Sequence, residues 1–431
     1  MPQEIGRRDF LRTSTAAAAV AGALARPVRA QSDRVNLGWI GTGSRGFYVM
    51  GRGYESKELL QVVAVCDTYA GNLAKGKDQV QTKGGNTPKT YVDYRELLAD
   101  PTVTAVAIST PEHLHFPMAM AALKAGKNIY LEKPIAHTIE EGAQIVALAE
   151  KTGLVVQVGT QNRSSLLYKR AKDMVEQGMI GECHFTRAFW YRNFDTSAAV
   201  PAAWRYVIPD DASPENTDWK RFLEGAKDQK LAFDKHRYFQ WRNYWDYSSG
   251  ISTDLLVHQT DISNFVLGKT VPSSCVASGG IYMWTREKGD DREVPDTFSA
   301  VYEYPDKFEL NYSSAFGNDQ YGYGEQFMGS EGTIEVISRQ YMNYFPQKFN
   351  GKPVKDRKEV HLDRLADLGQ QDDGTAAHVR NFLQACLGKE KAIAPARAGQ
   401  IAAIPGHLAT MSYKMNKKVF WDDKTQKYRL S

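Results

Sequence analysis

Cysteine is scarce in this chain: there are four in 431 residues, Cys66, Cys183, Cys275 and Cys386, scattered and without metal-type spacing. That excludes a disulfide-stapled scaffold and a zinc ribbon, and the four read as buried free thiols. An excess of one charge is also missing. Lys and Arg number 54 against 50 Asp and Glu, dispersed along the chain, so no basic stripe exists to neutralise a phosphate backbone and nucleic acid is not an expected partner. No apolar run approaches the ~20 residues that a membrane-spanning helix needs. Repeats are absent, which removes solenoids and arrays. What is present is a globular composition, 42% hydrophobic and 24% charged, at a length that accommodates two domains with cores of their own.

The N-terminus has a distinct pattern. Gly6-Arg7-Arg8-Asp9-Phe10-Leu11-Arg12 sets paired arginines before the uncharged, alanine-rich stretch Thr13–Ala25, and Val28-Arg29-Ala30 offers a small-x-small cleavage site. Residues 1–30 resemble a twin-arginine export signal, which implies a periplasmic or secreted protein starting near Gln31.

Beyond it, Val35–Ile40 reads as a buried strand that runs directly into Gly41-Thr42-Gly43-Ser44-Arg45-Gly46. In such a G-x-G-x-x-G loop the first glycine permits the turn, the second lets a pyrophosphate approach and the third lets the helix pack. The amides of the Ser44 and Arg45 turn then face the phosphates. A second strand, Leu60–Cys66, ends at Asp67, 21 residues past Gly46, where a carboxylate accepts from the ribose hydroxyls of NAD and repels the 2′-phosphate of NADP. NAD is the expected cofactor, with NADP possible through Arg45. Strand and helix patterns then alternate up to Leu154–Val158, which predicts a doubly wound parallel Rossmann sheet over residues 33–159. Residues 160–431 read as an α+β substrate-binding and oligomerisation domain. Its largely antiparallel sheet is expected to include Cys183–Tyr191, Val271–Trp284, Thr297–Tyr304, Phe308–Ser314 and Thr333–Ile337, flanked by helices at Leu167–Gln177 and Thr375–Leu387.

Thr110-Pro111-Glu112-His113-Leu114-His115 and Glu132-Lys133-Pro134 follow two of the later strands of the first domain. With the glycine loop, they resemble the Gfo/Idh/MocA family of glucose-fructose oxidoreductase and inositol dehydrogenase. The segment Gly329–Ile334 and the stretch from His407 to Asp422 resemble its second domain. The resemblance implies a nicotinamide oxidoreductase in which Lys133 reaches substrate and nicotinamide, a cis peptide commonly precedes the matching proline, and Thr110, His115 and Glu132 lie on the cofactor side. It also implies an Asp-x-x-x-His pair, matched by Asp254 and His258 on a helix expected from Ser252 to Gly268. His258 is the candidate general base, since an imidazole near pKa ~6.5 accepts a hydroxyl proton at neutral pH; Asp254 and Lys133 would orient the hydroxyl and set the base's pKa. Asp254, His258 and Asp261 also share a helical face as metal ligands would, but three on one helix make an incomplete site, and no metal is expected. Gln161 and Arg163, after the last strand of the first domain, are candidate substrate contacts. A homo-oligomer is expected from the family.

Between Phe189 and Tyr247 the chain carries 15 aromatic residues in 59, interleaved with Arg192, Arg205, Arg221, Arg237 and Arg242. Flat rings beside polar side chains suit a sugar, and they equally suit the packing of a long insertion. The expected substrate is a sugar, polyol or glycoside. Free nicotinamide nucleotides are not expected outside the cytoplasm, so an exported enzyme needs a tightly held cofactor that is recycled in place. The alternatives are a glycosidase that cleaves by transient C3 oxidation and elimination, and a non-catalytic sugar-binding protein.

Overall fold

The computed structural model describes residues 33–193 and 204–431. The export signature and part of the aromatic run, residues 194–203, lie outside them. Six strands, β1 (Val35–Ile40), β2 (Leu60–Cys66), β3 (Lys89–Tyr91), β4 (Ala105–Ile108), β5 (Asn128–Leu131) and β6 (Val156–Val158), form a parallel sheet in the order β3-β2-β1-β4-β5-β6. β4 and β6 are buried along their whole length, as strands covered by helices on both faces must be. Local chemistry marks the helix starts. Helix α1 (Ser44–Gly53) begins inside the glycine loop. In α5 (Ile139–Thr152) a capping box joins Thr138 and Glu141, and left-handed Gly153 ends the helix. Between them run α2 (Ala70–Gln79), α3 (Tyr94–Ala99) and α4 (His115–Lys124).

The second sheet has ten strands. β7 (Cys183–Tyr191), β8 (Ser274–Gly280), β9 (Thr297–Tyr304), β10 (Phe308–Ala315), β11 (Tyr323–Gly329), β12 (Gly332–Ile337), β13 (Tyr341–Pro346), β14 (Val360–Asp363), β15 (Val419–Asp422) and β16 (Lys427–Leu430) take the order β14-β13-β12-β11-β7-β10-β9-β8-β15-β16. All its pairs are antiparallel except β7 with β10. The strand expected over Val271–Trp284 is shorter than its apolar pattern, stopping at Gly280. Helix α6 (Leu166–Glu176) packs on this sheet as expected, with Leu167, Tyr168 and Met174 among Phe327, Ile334 and Met342.

Two findings correct the sequence reading. The helix expected from Ser252 to Gly268 is interrupted at Leu255 (φ −109°, ψ −55°), giving α7 (Ile251–Asp254) and α8 (Leu256–Leu267). Helix α9 (Thr375–Cys386) does not flank the second sheet. It returns to the first, where Val379, Phe382 and Leu383 pack against Trp39, Val62 and Tyr130. Helix α10 (Ala396–Met415) then joins the two halves. Ala396 and Ala403 belong to the first core, while Ile404, Leu408 and Ala409 belong to the second. Its Gly399 lies so close to β6 that a Cβ there would sit 2.4 Å from Val158 Cγ2. Cys66 and Cys275 are buried, Cys183 and Cys386 half-buried, and all four are free thiols. No helix among the described residues is long and apolar enough to cross a membrane.

Candidate active site

A cleft of about 980 Å³ runs from the glycine loop to the face of the second sheet, past the ends of β1, β2, β4 and β5. At its first end Gly41 adopts φ +86°, and a Cβ there would come within 2.8 Å of Ser109 C and O. A Cβ on Gly46 would meet Gly41 O at 2.0 Å. Gly43 differs: the nearest atom to a Cβ would be Asn72 Nδ2 at 3.6 Å, so no protein contact requires glycine there. What its bareness leaves is room above the N-terminus of α1, which has no side-chain cap. Unpaired helix amides beneath open space fit a pyrophosphate.

Asp67 closes this end. Its Oδ2 accepts from Thr42 N (2.8 Å) and its Oδ1 from Tyr69 N (2.9 Å). Burial pushes its pKa up, and the two amides act against that shift. Arg45, the residue through which NADP was conceivable, points the other way, with Nε 3.0 Å from Glu132 Oε1. We therefore expect NAD to bind at least about ten-fold more tightly than NADP, since like charges at close range cost on the order of 1 kcal/mol or more. Fluorescence titration with both nucleotides checks this; tighter binding of NADP would overturn it and point to Lys75 on the cleft wall.

The other end is built around Asp254. Lys133, next to the cis peptide Lys133–Pro134, places Nζ 2.6 Å from Asp254 Oδ1 and 2.8 Å from Asp254 O. The helix break explains the second bond. His258 N–H donates to Leu255 O (3.0 Å), which leaves the Asp254 carbonyl free for Lys133. Arg242 Nε lies 3.0 Å from the same Oδ1. Burial would push the Asp254 carboxyl up, but Arg242 and Lys133 hold it well below the usual carboxylate range. His258 lines the cleft beside them, with its ring 5.8 Å from Trp190 and its Nδ1 buried without a hydrogen-bond partner. Burial, with Arg339, Lys133 and Arg45, holds its pKa well below the ordinary value, so the imidazole is neutral. Asp254 Oδ1 is taken by the two cations and makes no hydrogen bond to His258.

Most sequence candidates meet here. Gly41, Gly43, Ser44, Arg45, Asp67, Thr110, Glu132, Lys133, Gln161, Asp254 and His258 all line the cleft. Gly46, which packs against Gly41 O, and His115 and Arg163 do not. The ring nitrogens of His115 lie 2.6 Å from Pro134 O and 3.0 Å from Thr110 O, so it braces the two motif loops from behind. Arg163 turns away to Asp261, Nη2 to Oδ1 2.8 Å, so that carboxylate is paired with a cation. Among the described residues no group of three His, Cys, Asp or Glu gathers in metal-binding geometry.

The aromatic run serves two ends. Phe222, Tyr238, Tyr244 and Tyr247 form a small core with Tyr69, the residue before α2, and Phe222 and Tyr238 also reach the cleft; Trp190, Trp204, Tyr206 and Trp241 stand on the cleft wall with Arg192 and Arg242. Sequence reasoning missed Arg339 and Asp373. A polar chain reaches them: Arg45 to Gln161 (3.4 Å), Gln161 to Asp373 (2.9 Å), Arg339 to Asp373 (3.3 Å).

Two family models match this chain: the oxidoreductase family's NAD-binding Rossmann fold over residues 35–160, and its C-terminal alpha/beta domain over residues 228–419. The chain belongs to the Gfo/Idh/MocA oxidoreductase family. An uncharacterized oxidoreductase of Bacillus subtilis, YrbE, is 24% identical over 345 residues, 76% of this chain and 84% of that protein. A glycosyl hydrolase family 109 protein of Shewanella baltica is 34% identical over 158 residues, which is 35% of this chain and 33% of its own length. The fold of a levoglucosan dehydrogenase, solved with NADH and levoglucosan, matches with a TM-score of 0.68 at 18% identity, over 90% of this chain and 99% of that one.

Proposed function

We propose that this family member is an exported oxidoreductase that acts on a hydroxyl of a sugar, polyol or glycoside and keeps its NAD through a closed redox cycle. The observation that carries the reading is the meeting of Lys133, Arg242 and His258 around Asp254 at one end of a cleft whose other end is a bare glycine loop and Asp67. When bound, the nicotinamide ring supplies the hydride acceptor. Neutral His258 takes the hydroxyl proton. Lys133 offers its remaining N–H to the hydroxyl oxygen, and Asp254 fixes Lys133 and Arg242 in place. The half-buried ring of Trp241 on the cleft wall offers an apolar surface to the C–H faces of a sugar.

Retention of the cofactor is supported by the segment after residue 204, which is fastened across the Asp67 end. Asp218 N donates to Thr68 O (2.8 Å), Ala70 N to Asn216 O (2.9 Å) and Tyr69 OH to Asp211 Oδ1 (2.6 Å), and Tyr238 OH lies 2.7 Å from Thr68 Oγ1. Export rests on the arginine pair and its following stretch. The similarity to a glycosyl hydrolase favours a second reading, redox-neutral cleavage of a glycoside; Asp254 beside Lys133 favours the first.

The mature protein is expected to turn over many equivalents of substrate with no nicotinamide added. Transfer between two sugars gives an oxidised and a reduced product in equal amounts. Glycoside cleavage instead releases an aglycone without net oxidation and loses deuterium from C2 of the sugar to solvent. Strict dependence on added NAD, one reduced nicotinamide per product, would refute both closed cycles.

A further inference from the structure

The substrate end of the cleft is over-supplied with positive charge. Arg45 is matched by Glu132 and Arg339 by Asp373, but Lys133 and Arg242 share the single carboxylate of Asp254. Arg192, half-buried, has no carboxylate partner among the described residues; its guanidinium lies 5.2 Å from the Trp190 ring. The Arg339 guanidinium lies 5.0 Å from the same ring. Counted over these ion pairs, two positive charges are left unmatched, with the buried Glu112 carboxyl, itself raised to about 7, acting on Lys133 and Arg242 from further away; a dinucleotide does not account for them, since its pyrophosphate falls to the glycine loop and the α1 N-terminus.

The same wall presents donors without acceptors. Arg339 is 7% exposed, yet its Nη2 has no hydrogen-bond partner, and neither has Trp190 Nε1. Buried donors are ordinarily satisfied, so each unsatisfied one marks a missing acceptor. Arg339 is also held there by an unusual turn. β12 and β13 are joined through Ser338 (φ +53°) and Arg339 (φ +54°), closed by Gln340 N to Ile337 O at 2.9 Å. Hairpins of this kind normally place Asn or Gly at those positions.

We propose that the substrate is an acidic sugar, whose carboxylate, phosphate or sulfate is bound by Arg192 and Arg339 against Trp190. An acceptor-only anion fills the vacant donors and balances the charge, and a guanidinium offers its N–H groups in a fork that matches such oxygens. The inference rests on reading the cleft as a sugar oxidoreductase site.

The test is calorimetric titration of the NADH-loaded enzyme, which cannot oxidise an alcohol, with matched pairs: methyl glucoside and methyl glucuronide, glucose and glucose 6-phosphate, glucose and glucose 6-sulfate. The acidic member of at least one pair should bind at least 30-fold more tightly, and that preference should shrink at least ten-fold in Arg192→Gln and in Arg339→Gln. NADH affinity of each variant reports its fold independently, and Arg192→Gln, which breaks no ion pair, guards against unfolding of the other. Equal or weaker binding of the acid in every pair, no binding of any, or a preference that survives both substitutions would overturn the inference. Cofactor reduction by neutral sugars without acid preference would leave the oxidoreductase reading standing. Arginine-dependent acid binding with no cofactor reduction by any of these compounds would instead remove that reading.

Discussion

His258→Ala should abolish substrate-driven reduction of the cofactor while leaving NAD binding nearly intact. A positioned general base contributes about 10² to 10⁴-fold to rate, and His258 stands at the Asp254 end of the cleft, away from the glycine loop. Its suitability comes from its surroundings. Burial and the field of Arg339, Lys133 and Arg45 keep the ring neutral, so it meets the substrate ready to accept a proton. Lys133 is poorly placed for the same task, because it already donates to both the carboxylate and the carbonyl of Asp254. Single-turnover absorbance at the reduced-nicotinamide band, with NAD affinity measured in parallel, separates chemistry from binding. Activity within a factor of a few of the parent would remove His258 as the base and return the role to Lys133.

The protein should also unfold in mildly acidic solution, with a midpoint between about pH 4 and 5 for a domain of ordinary stability. Of nine histidines, five are buried: His113, His115, His258, His378 and His407. Burial pulls His113 and His407 down to about 3 and His115 and His378 to about 4, and it lowers His258 as well. In the unfolded chain each binds a proton near pH ~6.5. Their contribution is therefore fully present above that value and is lost as pH falls toward the folded values, at up to about 1.4 kcal/mol per group per pH unit. Glu112 and Glu325 act oppositely. Burial raises both to about 7, so they favour the fold as pH falls from there to ~4.5; burial also raises Asp67, Asp261 and Glu141, but half-buried His137, lowered to about 4, joins the five imidazoles, and the carboxyls offset only part of them. Tryptophan fluorescence and circular dichroism across pH, with the proton uptake counted by titration, check this; a cooperative fold that persists at pH 3.5 would contradict it.

Five strands of the first sheet were legible because each is a short apolar run, and the first helix because it opens in the glycine loop Gly41–Gly46; β3, the exposed Lys89-Thr90-Tyr91, offers no such run and was missed. The rest depended on contacts that sequence spacing does not carry. An amphipathic pattern shows that α9 has an apolar face, but not which sheet receives it. Helix α10 beyond the His407 stretch was missed because it is buried on nearly every side and contains Gly399, Pro405 and Gly406, which read as breakers and leave no periodicity. Arg163 follows the strand-end rule that places Gln161 in the cleft, yet the 3-10 turn Gln161–Ser164 sends the two side chains to different neighbours. Arg339 and Asp373 join the site through a hairpin and a helix start far along the chain. The signal that could have flagged Arg339 was weak: a Ser-Arg pair at the tip of two alternating strands, where asparagine or glycine is usual.

The position of α9 and α10 also sets the order in which this protein can mature on the ribosome. The six strands of the first sheet have all been synthesised by residue 158, but Phe382, Leu383 and Ala403, which complete its two cores, come more than two hundred residues later. Until they arrive, the nascent sheet exposes apolar surface that only a chaperone or the remaining chain can cover. The nucleotide-binding half is therefore not covered by its own residues alone: its two cores are complete only when nearly the whole polypeptide has been made, so a chain released early leaves part of both uncovered.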